Sequence, residues 1–94
     1  MAETMTIESH DVSVKIDPDR LGDPRFTYCL SRVSDETVAD ERKLVFFGRM
    51  LSVMLGEDGA YEAMCALADG GSVSADTFND FFMDVLQQAR AKNS

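Results

Sequence analysis

The chain has 94 residues but only one His, two Cys, two Pro and no Trp. That length sets one domain. His10, Cys29 and Cys65 stand far apart. A tetrahedral metal site needs three or four converging nitrogen and sulfur ligands, so these three point to none. Two cysteines are too few for a disulfide framework, and both are read as reduced, buried thiols. Long apolar runs are missing too. The longest, Leu44 to Leu55, is broken by Gly48, Arg49 and Ser52 and falls short of the ~18 residues of a membrane span. The opening lacks the basic-then-apolar order of a signal peptide, which leads to the expectation of a cytoplasmic protein. Basic residues are scarce: 9 Lys+Arg against 17 Asp+Glu give a net charge of -8. Such a balance repels nucleic acid and anionic membrane.

Chemical motifs are equally sparse. No GxGxxG or GxxxxGK[ST] phosphate loop occurs. Asp17-Pro18-Asp19-Arg20-Leu21-Gly22 has the acids and glycine of a calcium loop. Tyr28, however, stands where the bidentate Glu must be, so the segment is a turn. No catalytic residue, cofactor or metal is assigned.

What is present is helical periodicity. Residues Met1 to His10 read as a polar, mobile tail. Val12, Val14 and Ile16 then alternate with polar residues, as in a half-buried strand. Three arrangements are open to it: a loose hairpin with Thr4 to Glu8, a cap over the helices, or addition to another chain's sheet. Residues 1–16 are thus a tail with a short strand, and 17–94 a single helical domain. Asp23-Pro24 starts a first helix that carries Phe26, Cys29, Leu30 and Val33 and ends near Ser34-Asp35. A second runs from about Val38 to Leu55, capped by Thr37 or Asp35 and stopped by Gly56. A third, about Asp58 to Ala68, has an inner stripe of Tyr61, Met64, Cys65 and Ala68. Gly59 weakens its start. In the fourth, Ser74 is the N-cap, Val73 and Phe78 form a hydrophobic staple, and Phe78, Phe81, Phe82, Val85, Leu86 and Ala89 make a core stripe. The fold class is mainly α, a small bundle of about four helices.

The second helix carries more apolar surface than one stripe requires. Leu44, Phe47, Leu51, Met54 and Leu55 share one face; Phe46 and Val53 point nearly opposite, with Met50 between and Arg42 and Arg49 alongside. Either the bundle wraps this helix on both sides, or the second face is exposed for a partner helix. On the latter reading Phe46, Met50, Val53 and Arg49 are the partner-binding residues. The acidic stretches Asp35-Glu36-Asp40-Glu41 and Glu57-Asp58-Glu62-Asp69 read as solvated faces, or else as an acidic docking surface or DNA mimic.

The order of these features resembles the tail assembly chaperones of long-tailed bacteriophages, from about Asp17 to Ala89. An acidic turn leads a short helix. A hydrophobic helix ends in LSVMLGE (Leu51 to Glu57), a helix with Tyr61-Glu62-Ala63 follows, and after a glycine-bearing linker Val73-Ser74 opens the last helix. The resemblance implies a non-catalytic helical protein of the host cytoplasm, absent from the mature virion. It would bind the tape measure protein and assist tail tube subunits, and it would correspond to the short form of a frameshifted pair. Self-association stays open. The alternative is a small acidic helical inhibitor, or DNA mimic, that occupies a basic partner.

Overall fold

Alternation of apolar and polar residues sets the N-terminal architecture. The computed structural model describes residues 4–93 and begins with an antiparallel hairpin of β1 (Met5–Ser9) and β2 (Val12–Ile16). Met1 to Glu3, the outer part of the expected tail, lie outside the described residues. Ile7 pairs with Val14, and Met5 with Ile16. Ile7, Val12, Val14 and Ile16 point inward and are buried, while Thr6, Glu8, Ser13 and Lys15 point out. His10 and Asp11 join the strands at φ 53° and 64°, the left-handed pair that a tight two-residue hairpin turn demands.

A two-stranded ribbon is marginal alone; here it is held by the helices. After a 3-10 turn at Pro18–Gly22 come α1 (Pro24–Val33), α2 (Asp40–Leu55), α3 (Glu57–Ala68) and α4 (Ala75–Asn93). β1 packs on α4 and β2 on α3. Lys92 Nζ donates to the Thr6 carbonyl at 2.8 Å and Gln88 Nε2 to the Glu8 carbonyl at 2.9 Å. These bonds satisfy acceptors along β1 with side chains of α4. The first ten residues are therefore not a loose tail from Met5 onward. The hairpin and residues 17–93 share one core, because a sheet with one apolar face must bury it against another layer.

Most helix signals act locally as expected. Asp23 caps α1, its carboxylate accepting from Arg25 N at 2.8 Å. Ser74 Oγ accepts from Thr77 N at 3.1 Å at the start of α4, and all six residues of the α4 stripe are buried. α2 departs from expectation: it starts at Asp40, with Ala39 at the cap and no side-chain cap bond. Asp35 instead accepts from Thr37 N and Thr37 Oγ1, closing a separate turn. Gly56 ends α2 at φ 82°, ψ 160°, a region essentially restricted to glycine, and the chain enters α3 at once.

The inner face of α3 also differs. Ala60 and Ala63 are buried, whereas Tyr61 and Cys65 are exposed and Met64 and Ala68 are half-buried. The helix lies close to its neighbours, so its small side chains face in. A Cβ added at Gly59 would stand 3.2 Å from Leu55 Cβ. The expectation of two buried thiols thus holds for Cys29 and fails for Cys65.

α2 is covered on both sides. The Phe47 ring meets Phe82 of α4 at a tilt of 51° with centroids 5.1 Å apart, and α1 packs on α2 as well. Phe46 and Met50 are consequently core residues, 2% and 0% exposed. Of the residues expected to meet a partner, Phe46 and Met50 are thus covered within the chain, while Val53 stays half-buried and Arg49 exposed.

Candidate functional site

Two places bring polar chemistry together. The first is where the hairpin turn meets α4. Ser9 Oγ donates to Asp84 Oδ2 at 2.5 Å and lies 2.7 Å from His10 Nδ1. Gln88 Nε2 also donates to Asp84 Oδ2, at 3.2 Å. The Ser9 hydroxyl and the Gln88 amide hold the Asp84 carboxyl below the usual carboxylate range. Serine, histidine and aspartate together suggest an acyl-transfer triad, but the order of bonding is wrong. A catalytic histidine accepts the serine proton and is itself oriented by the aspartate. Here the ionised Asp84 can only accept, so it takes the single Ser9 proton, and His10 Nδ1–H donates to Ser9 Oγ. The arrangement ties the turn to α4 and does not place His10 as the acceptor of the Ser9 proton. The His10 ring lies edge-on to Phe81, centroids 6.1 Å apart. His10 is thus fixed rather than part of a mobile tail, and nothing in sequence links it to Asp84, 74 positions away.

The second is the groove between α1 and α2, about 550 Å³ in volume, lined by Pro24, Arg25, Tyr28, Cys29, Arg49, Val53 and Glu57 among others. Its floor is apolar. Tyr28 is 59% exposed and meets the Phe46 ring edge-on at 6.3 Å. Around Phe46 stand three guanidinium groups: Arg32, Arg42 and Arg49 have their central carbons 5.6, 5.6 and 5.4 Å from the ring centroid. All three are within cation–π range. Arg42, Phe46 and Arg49 follow one another at i, i+4, i+7 on α2, and Tyr28 and Arg32 at i, i+4 on α1, so each helix contributes one stripe.

The four sequence candidates divide accordingly. Val53 is half-buried in the groove wall and Arg49 is exposed at its edge. Phe46 carries the arginines from beneath, and Met50 is wholly interior. Tyr28 and Arg32 went unrecognised. Their i, i+4 spacing was legible, but their partnership with α2 depends on how two helices dock.

Burial pushes the Cys29 pKa up, and the nearby Arg49 charge opposes this less strongly. Reactive cysteines need the reverse balance. Among the described residues no group of three His, Cys, Asp or Glu side chains is placed to hold a metal ion, and no helix is long and apolar enough to cross a membrane. Comparison with protein-family models, curated proteins and solved structures finds no match to this chain.

Proposed function

We propose that this protein is a non-catalytic chaperone of the phage tail assembly kind, which binds the tape measure protein and assists tail tube subunits in the host cytoplasm. The observation that carries the reading is the α1–α2 groove, an open surface where an exposed tyrosine, arginines and an apolar wall meet. Tyrosine and arginine are the side chains most enriched where proteins hold one another. The order of helices and of the Leu-Gly-Glu and Tyr-Glu steps supports the same reading. The net charge of -8 would keep a chaperone–client complex soluble. The contact surface differs from the one the helical wheel suggested: Phe46 and Met50 support it from within, and Tyr28, Val53 and Arg49 meet the client. Co-expression with the tape measure protein of the same phage tests the reading. A soluble complex that co-purifies is expected; a folded protein that leaves the tape measure protein insoluble and uncaptured would refute it.

One observation favours a second reading. Glu57, Asp58, Glu62 and Asp69 are all exposed along α3 and its end, an acidic edge suited to a basic partner. An inhibitor or DNA mimic would bind a nucleic-acid-binding protein through this edge, with affinity that collapses as salt is raised. Neutralising Asp58, Glu62 and Asp69 would abolish that binding and leave tape measure capture intact.

A further inference from the structure

We infer that the α1–α2 groove, together with the arginine cluster that adjoins it at Arg49, binds an acidic amphipathic peptide segment of a partner protein, an apolar side chain entering the groove and flanking carboxylates meeting Arg32, Arg42 and Arg49. The inference rests on the partner-binding reading above and names its surface and the chemistry of the segment held.

The first argument is charge placement. On a chain of net charge -8, three of nine basic residues converge on one ring. Any two of those guanidinium carbons lie within twice the ring distance of each other, so their charges repel. The Phe46 quadrupole offsets part of that repulsion. Carboxylates offset little of it: among the described residues Arg42 and Arg49 form no ion pair, and Arg32 reaches Asp35 only at 3.9 Å. By contrast Arg25, at the same groove, is fully engaged with Asp23 through two side-chain bonds of 3.0 and 2.8 Å. Acids are plentiful elsewhere on the surface, so the lack of close partners for this trio is a specific feature. The Nε of Arg32 is buried with no acceptor.

The second argument is the surface beside the charges. The groove offers Pro24, Val53 and the Tyr28 ring, and Val45, one turn from Arg42 and Arg49, is 42% exposed. A phosphate chain has no apolar group for this floor. A peptide with apolar residues at helical spacing and carboxylates beside them satisfies both halves of the site. Guanidinium groups suit carboxylates especially, because they donate two parallel bonds.

The test is a titration of the whole folded protein with a synthetic amphipathic peptide about four helical turns long, with leucines on one face and flanking glutamates, and with its Glu→Gln and Glu→Lys counterparts. The glutamate peptide is expected to bind in the micromolar range, shift the amide signals of Tyr28, Arg49 and Val53, and weaken as salt rises. Arg42→Gln and Arg49→Gln are each expected to weaken it about tenfold, with unchanged circular dichroism. Arg90→Gln, on α4, should change nothing. Equal binding of the glutamine peptide, or no effect of the arginine variants, would overturn the inference. So would preferential capture of a single-stranded oligonucleotide by the same arginines, or self-association of the protein through them that the peptide does not displace. Tape measure capture that survives Arg42→Gln/Arg49→Gln would sink this inference and spare the chaperone reading. Peptide binding without tape measure capture would do the opposite.

Discussion

Ile7→Ala asks whether the N-terminal hairpin is part of the core or an ornament on a helical bundle. Ile7 is fully buried, paired with Val14, on a strand that packs against α4. Truncation removes three carbon groups, about 2–2.5 kcal/mol of transfer free energy. Strand and helix are tied together by Lys92, Gln88 and the Ser9–Asp84 bond, so the site cannot collapse fully and a cavity term adds to the loss. The expected total is about 3–4 kcal/mol. Native stability for a chain this size is about 5–14 kcal/mol, so the variant should fold but melt about 12–32 °C lower, at roughly 4–8 °C per kcal/mol. Urea denaturation followed by circular dichroism measures the loss, and Thr6→Ala, on the solvent side of the same strand, is the control, expected within about 0.5 kcal/mol of the parent. If Ile7→Ala proves as mild as Thr6→Ala, the hairpin is not an integral part of the fold and the single-core argument fails.

Other substitutions check separate parts of the reasoning. Gly56→Ala should cost about 1–3 kcal/mol, since φ 82° and ψ 160° suit no Cβ-bearing residue; a neutral result in a thermal melt would show that the α2–α3 corner can rearrange. Phe46→Ser should destabilise by at least about 3 kcal/mol, because it empties a core position and leaves a hydroxyl beneath three arginines; retention of the parent melting temperature would mean that Phe46 is not buried. Acid should weaken the fold through carboxylates that hydrogen bonds hold low, Asp35 beside Thr37 among them. Asp23 is lowered to about 2, chiefly by its side-chain bond to Arg25, and Asp84 is lowered chiefly by Ser9. A depressed folded pKa favours the native state above the ordinary carboxylate pKa, and that stability is lost as pH falls through the folded value. Stability should therefore decline from about pH 4 toward pH 2, and Arg25→Ala should flatten the Asp23 part of that slope in a urea titration; an unchanged slope would contradict the assignment.

Much of the helical fold was legible because its signals are local. Asp23-Pro24, Ser74 and Gly56 act through their own turns, and the α4 stripe follows from the 3.6-residue period alone. Those residues determined that α1 and α4 begin where they do, that α2 stops at Gly56, and which face of α4 is buried. The alternation from Val12 to Ile16 likewise marked a strand, though not its partner.

The remaining features depend on what lies across from each element. His10 and Asp11 carry no Asn-Gly signal, yet they form the hairpin turn because β1 and β2 share one buried face and Ser9 is held by Asp84. Periodicity showed that α2 had two apolar sides and could not say whether solvent, another protein or α1 met the second; docking of α1 buried Phe46 and Met50. On α3 it pointed to the Tyr61 stripe as the inner face, whereas close approach selected Ala60 and Ala63. The arginine cluster is the clearest instance: Arg42 and Arg49 were visible as neighbours on one helix, but Arg32 joins them only through the packing of α1. Local chemistry sets backbone conformation one turn at a time, whereas burial and charge clustering are properties of pairs of surfaces, and those pairs exist only once the chain has folded.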